Sequence, residues 1–170
     1  MKILLSPHPD DETLFAAFTI LREKPLVVVV TYPTLQGNNG DERLLESYKA
    51  MKILGAPVCF LGIKEDALTE ENLREKLQVF THTEIDVAYI PEYEEGGNPH
   101  HNLVNKIGRE MFGNTKNYKT YTDLNDRTIG REIIPTSEEL ELKKLAMNCY
   151  VTQKQNANTA HYFNTTKEYE

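Results

Sequence analysis

Short apolar runs that alternate with segments of helical spacing constrain this chain more than any other feature. Lys2 to Ser6, Leu26 to Tyr32 and Val58 to Ile63 are rich in Val, Ile and Leu and lack polar alternation, and Asp86 to Pro91 is a fourth such run. Continuous runs of this length belong to strands buried on both faces. Between them, Glu12 to Glu23 carries Leu14, Phe15, Phe18 and Leu21 at helical spacing, and Asp41 to Leu54 carries Leu44, Leu45, Tyr48, Met51 and Leu54, with Gly55 placed to end it. Thr69 before Glu70 and Glu71 predicts an N-capped helix running to about Phe80. Strand–helix alternation implies right-handed crossovers, hence an α/β fold with a mostly parallel sheet and helices on both faces.

Past the fourth strand the pattern loosens. Asn102 to Phe112 reads as an amphipathic helix through Leu103, Ile107 and Met111, closed by Gly113. Tyr118 to Leu124 and Arg131 to Ile134 read as strands, and Pro135, Thr136 and Glu139 mark a capping box that opens a helix to about Tyr150. Gln153 to Asn164, dominated by Asn, Thr and Gln, reads as a loop. With 170 residues the chain is expected to be one domain, 1–170, with its own core. A formal net charge of -7 argues against a nonspecific grip on nucleic acid. No apolar run approaches the roughly 20 residues of a membrane span, and the chain opens into a strand pattern rather than a basic-then-apolar leader, so a cytoplasmic location is expected. Cys59 and Cys149 sit far apart in apolar runs and read as reduced core thiols. Oligomeric state is left open.

In an open parallel sheet, ligands collect beyond the carboxyl ends of the strands, where strand order reverses. Pro7-His8-Pro9-Asp10-Asp11-Glu12 follows the first run directly, and Gly96-Gly97-Asn98-Pro99-His100-His101-Asn102 follows the fourth through an acidic loop. Both clusters therefore fall on one sheet edge. Imidazole nitrogen and carboxylate oxygen are ordinary Zn2+ ligands, and a catalytic zinc keeps only three protein ligands. His8 and Asp11 can supply two, leaving Asp10 free to act, while Pro9 stiffens the turn. The same acids also suit a helix start, as an N-cap and a complement to the helix dipole; His100 and His101 equally suit a solvated loop or a helix N-terminus. No Gly-x-Ser-x-Gly elbow appears, and Gly37-Asn38-Asn39-Gly40 lacks a phosphate-loop ending and reads as a loop leading into Asp41 and Arg43. The acidic run Glu92 to Glu95 would favour a neutral or amine-bearing ligand if it rims the site. His82 and His161 read as structural or surface histidines.

On these residues the chain resembles the PIG-L/LmbE-like zinc-dependent N-acetylglucosamine deacetylases. Pro7-His8-Pro9-Asp10-Asp11-Glu12 is similar to their opening motif; Arg43, Glu46, Ala50, Leu54 and Gly55 to their Arg-x-x-Glu helix; and Phe60-Leu61-Gly62 with Asp66 and Leu68 to their next strand and loop. Gly96 to Val104 is similar to their Gly-His-Pro-Asp-His-x-x-Val segment, and Lys144-Leu145-Ala146, Tyr150, Gln153 and Glu168, more weakly, to their closing helix and tail. The resemblance implies a three-layer Rossmann-like fold and hydrolysis of the N-acetyl amide of a small N-acetylated sugar. It implies Zn2+ held by His8, Asp11 and His101, Asp10 as general base, and Arg43 and Asp66 against the sugar. One departure matters: Asn98 stands where the family has a histidine that stabilises the oxyanion or protonates the leaving amine, and His100 stands where it has Asp. Asn can donate to an oxyanion but cannot deliver a proton, so Asp10 handles both transfers, His100 substitutes, or activity is weakened. The competing expectation is a noncatalytic carbohydrate- or nucleotide-binding module on the same fold.

Overall fold

The apolar runs form β1 (Lys2–Ser6), β2 (Leu26–Tyr32), β3 (Val58–Lys64) and β4 (Val87–Pro91), joined by α1 (Asp11–Glu23), α2 (Gly40–Leu54) and α3 (Glu70–Leu77). A computed structural model describes residues 1–34, 40–120 and 131–169. After β4 come α4 (Pro99–Met111), β5 (Thr115–Tyr118), α5 (Ser137–Met147) and α6 (Val151–Gln155). The five strands pair in the order β3-β2-β1-β4-β5, all parallel. The chain winds outward from β1 to β3 on one side, then returns to place β4 on the other. Strand order therefore reverses between β1 and β4, whose carboxyl ends carry the two polar clusters.

The continuous apolar runs hide a period of two. Ile3, Leu5, Val28, Val30, Ala88 and Ile90 pack against Leu73 and Leu77 of α3 and Val104 and Ile107 of α4. Leu4, Val27, Val29 and Tyr89 face the opposite layer of α1, α2 and α5. Both faces are covered, so both sets of alternate residues are apolar. Gly108 lets α4 approach β4 closely, since a Cβ there would lie 2.8 Å from Cγ2 of Ile90. Gly55, at φ +68°, ends α2 in the left-handed conformation a helix C-terminus favours.

Several expectations shift. The fifth strand is Thr115–Tyr118, pairing Ala88 with Thr115 through Pro91 with Tyr118, so only Tyr118 of the expected Tyr118–Leu124 segment belongs to it. An edge strand with alternating exposure shows no continuous apolar run, which hid it; residues 121–124 lie outside the described residues, as do 37–39 of the Gly37–Gly40 loop. The Arg131–Ile134 segment makes an isolated antiparallel bridge, Glu132 with Tyr169, rather than a strand. The expected loop from Gln153 contains the end of α6 and a 3-10 turn at Ala160–Asn164. On α2, Leu45 and Tyr48 are exposed while Arg43, Glu46 and Ser47 are buried, because this end of the helix packs against polar groups below the cleft rather than against the apolar core. No helix among the described residues is long and apolar enough to cross a membrane, and both cysteines are free thiols, partly buried.

A buried ion pair closes the fold behind α1. That helix breaks at Ala16, with φ -140° and ψ 15°, which frees Leu14 O and Phe18 N from regular helix bonding. Lys143 Nζ donates to Leu14 O at 2.8 Å and to Glu168 Oε1 at 2.7 Å, and Glu168 accepts from Phe18 N. Both side chains are fully buried. The neighbouring Lys144 instead pairs with Glu141 at the surface.

Candidate active site

The turn after β1 is fastened from several sides. Pro7 O accepts from the backbone and hydroxyl of Thr31 on β2, at 3.1 and 2.8 Å. His8 N donates to Asp11 Oδ2 at 2.9 Å, so Asp11 organises the backbone that carries His8. Asp10 sits at φ 147°, a region that L side chains rarely adopt and that costs about 1–3 kcal/mol. Its amide donates to Glu12 Oε2 at 3.0 Å. Glu12 is fully buried and gathers more donors: Ser6 Oγ lies 2.9 Å from Oε2, while Ser47 Oγ and Tyr150 OH donate to Oε1 at 2.6 and 2.5 Å. Glu12 stands in the first turn of α1, where the sequence places it, and is also the hub that holds Asp10 in its strained conformation.

Above this hub, His8 Nδ1, Asp11 Oδ2 and His101 Nε2 form a near-equilateral triangle with separations of 3.0, 3.0 and 3.2 Å. Donor atoms at about 2.0–2.1 Å from a tetrahedral zinc stand about 3.3 Å apart, so two imidazoles and one carboxylate here fit such an ion in both donor type and spacing. His101 Nδ1 meets Thr120 Oγ1 at 3.0 Å, the kind of outer partner that orients a ligating imidazole. Burial opposes ionisation of Asp11, but His101 and His8 override it and hold its carboxyl well below the usual range. Asp10 is raised well above the usual range: burial dominates, Arg43 opposes it, and Asp11, Glu12 and Glu65 add to it. Two neighbouring acids are thus driven in opposite directions by their surroundings.

His8, Asp10, Asp11, Arg43, Asn98, His100 and His101 all line one cleft of about 340 Å³. Arg43 Nη2 lies 3.2 Å from Pro9 O and 3.4 Å from Asp10 Oδ2, and its buried Nε has no hydrogen-bond partner among the described residues. Asn98 caps α4, its Oδ1 accepting from His100 N at 2.9 Å, so only its Nδ2 end remains to donate to a ligand. His100 Nδ1 stands 3.0 Å from His8 Nε2, and burial, then His8, pushes its pKa down. Asp66 is not brought into the lining: it bonds Thr34 Oγ1 at 3.0 Å, and Glu65 takes the cleft-facing place.

Sequence reasoning missed Glu65, Thr120, Tyr150 as partner of Glu12, and the wall formed by Gln153, Asn156, Thr159 and Tyr162. Glu65 is the immediate neighbour of Asp66, and Tyr150 and Gln153 belong to the segment that resembles the family's closing helix; the others carry no local signal, since they reach the site by chain return from distant segments. His161, on that segment, stacks on Tyr162 with ring centroids 3.9 Å apart, and Tyr162 is the residue facing the cleft.

A family model described as PIG-L: GlcNAc-PI de-N-acetylase matches residues 3–112. Among solved structures, GalB, the 4-carboxy-2-hydroxymuconate hydratase from Pseudomonas putida KT2440, superposes with a TM-score of 0.72 at 17% identity over 96% of this chain and 83% of its own. A deacetylase of the teicoplanin biosynthesis pathway superposes at 0.73 with 13% identity over 95% and 90%, and the A40926 pseudoaglycone deacetylase Dbv21 at 0.67 with 17% identity over 94% and 87%. At such identities the likeness establishes the fold, and a hydratase beside deacetylases leaves the chemistry to the site. No curated protein sequence matches the chain.

Proposed function

The chain belongs to the PIG-L family of GlcNAc-PI de-N-acetylases, and from that premise we propose that it hydrolyses the N-acetyl amide of an N-acetylglucosamine-containing or similar N-acyl sugar, releasing acetate and a free amine. The triangle of His8 Nδ1, Asp11 Oδ2 and His101 Nε2 in the same cleft as Asp10 carries this proposal. These three residues would hold Zn2+. The ion's contribution when bound is Lewis acidity toward the amide carbonyl and a lowered pKa for water.

The chain's own residues do the rest. Asp10 takes the proton of the attacking water at its carboxylate, in a pocket where burial keeps that carboxyl from being a weak base. It then returns a proton to the departing nitrogen, aided by His100 if that imidazole stands in for the family histidine. Asn98 Nδ2 donates to the oxygen where negative charge develops. Arg43 steadies Asp10 and, lining the cleft, brings its guanidinium charge to a substrate acceptor such as a hydroxyl or phosphate. Phe15 and Tyr162, whose rings meet edge to face at 6.1 Å, supply an apolar wall against a sugar face.

The test is acetate release from a panel of N-acetylglucosamine derivatives by zinc-loaded protein. Asp10→Asn should lower turnover by about 10²–10⁴-fold, the usual contribution of a positioned acid–base group, with metal content unchanged. Zinc-loaded protein that turns over nothing on a broad panel, and binds ligand equally well as Asp10→Asn, would instead indicate the noncatalytic binding module.

A further inference from the structure

His8 presents its two ring nitrogens to different partners. Nδ1 faces the Asp11–His101 pair already described. Nε2 faces a second set: His100 Nδ1 at 3.0 Å and Glu65 Oε1 at 3.6 Å. The candidate ligand atoms of His8, Glu65 and His100 all lie within 4.8 Å of one another. We propose that Glu65, His100 and Nε2 of His8 form a second binding site for a divalent transition-metal ion.

The donor set argues for the class of ion. Two imidazole nitrogens and one carboxylate oxygen suit zinc, cobalt, nickel or copper, whereas magnesium and calcium require mostly oxygen ligands. The separations of 3.0 and 3.6 Å from His8 Nε2 bracket the edge of about 3.3 Å expected between tetrahedral zinc ligands. The fold delivers the three donors from beyond the carboxyl ends of three different strands: His8 after β1, Glu65 at the start of the 3-10 turn Glu65–Ala67 after β3, and His100 in the first turn of α4 after β4. The Glu65 side chain is only 14% exposed, so it is held inside the cleft rather than spread into solvent. Neither Glu65 nor His100 belongs to the triangle of His8, Asp11 and His101.

The two positions draw on one imidazole. A neutral ring ligates through either nitrogen while the other keeps its proton; occupancy of both positions requires the ring to release that remaining proton to solvent. The second ion therefore binds more weakly than the first. Once bound, it engages His100 and occupies part of the cleft that a substrate would enter, so excess metal inhibits whatever reaction the first position supports. The metal site itself does not depend on that reaction being deacetylation.

The experiment is to strip the full chain with a chelator, retitrate it with Zn2+ or Co2+, and count bound ions by equilibrium dialysis with elemental analysis. Wild type should take up one ion tightly and a second at least tenfold more weakly. Glu65→Gln should take up the first ion as wild type does and lose the second, and Glu65→Ala serves if the glutamine oxygen still ligates. Asp11→Asn should lose the tight ion and retain one at the second position. In d–d absorption, the second Co2+ equivalent should add a distinct band that both Glu65 variants lack. A wild type that saturates at one ion, or Glu65 variants that still bind two, overturns the proposal. Ion counts are read without substrate, so failure to release acetate would leave this result standing, and a missing second ion would leave the deacetylase proposal untouched.

Discussion

Removing the Glu12 carboxylate should separate a stability cost from a positional one. Four donors converge on it: Asp10 N, Ser6 Oγ, Ser47 Oγ and Tyr150 OH. In Glu12→Ala, Ser6 Oγ keeps His8 O at 2.8 Å and Tyr150 OH keeps Thr13 Oγ1 at 3.0 Å. Asp10 N and Ser47 Oγ are left without an acceptor in a buried site. Each orphaned donor costs about 1–3 kcal/mol, so the loss should be about 2–6 kcal/mol before any cavity contribution. In Glu12→Gln the amide oxygen must face Asp10 N, the one donor that cannot turn into an acceptor. The new NH2 then faces the hydroxyls of Ser47 and Tyr150, which can rotate to accept, so the cost should be about 1 kcal/mol. Urea unfolding followed by circular dichroism measures both. Turnover, measured where each variant is folded, should fall much further in Glu12→Ala than in Glu12→Gln, because the bond that holds Asp10 at φ 147° is gone and the peptide relaxes toward an unstrained conformation. Metal content should change little, since His8 N and Asp11 Oδ2 secure the ligand backbone independently. A Glu12→Ala variant within 1 kcal/mol of wild type, with equal turnover, would refute the hub.

Breaking the Lys143–Glu168 pair one side at a time should cost about 3–5 kcal/mol, because a buried charge is left uncompensated, whereas Lys143→Met with Glu168→Gln together should cost less than the sum; strictly additive values in a double-mutant cycle would contradict that coupling. Glu139 is held down to about 2, chiefly by the Arg22 hydrogen bonds, with burial opposing and Thr136 assisting. Its folded pKa lies below the unfolded one, so its contribution is present above about pH 4.5 and fades as pH falls toward 2. Screening at this solvent-facing site limits it to below about 1 kcal/mol, so the stability gap between wild type and Arg22→Ala should be small at pH 7 and shrink through that window. Asn98→His should hold or raise turnover and His100→Ala should matter little if Asn98 supplies the oxyanion contact; a large loss in His100→Ala with metal content intact would give the acid role to His100.

The helical pattern was legible where an element serves the apolar core and misleading where it serves the cleft. On α2, Met51 and Leu54 sit where periodicity puts them, yet Leu45 and Tyr48 are exposed and Arg43, Glu46 and Ser47 are buried. Those polar side chains are stable inside because they meet partners from elsewhere in the chain: Ser47 bonds Glu12, Arg43 bonds Pro9 O and Asp10, and Glu46 accepts from the backbone and hydroxyl of Thr152. Hydropathy ranks a residue by its own transfer energy and contains nothing about a partner a hundred positions away. Lys143 and Lys144 make the same point, since adjacent and chemically identical residues are divided by which one meets Glu168.

The sequence by itself determined the strand–helix alternation, the parallel sheet covered on both faces, and the gathering of Pro7–Glu12 and Asn98–His101 at one sheet edge. These follow from local periodicity and from the restricted handedness of crossover connections. The tertiary structure alone decided that strand order reverses between β1 and β4, which brings His8, Asp11 and His101 within 3.2 Å of one another, and that Glu65 rather than Asp66 faces them. The physical reason is range: periodicity is a property of neighbours along the chain, whereas a ligand triangle is closed by packing between segments more than 90 residues apart, as the separation of His8 and His101 requires.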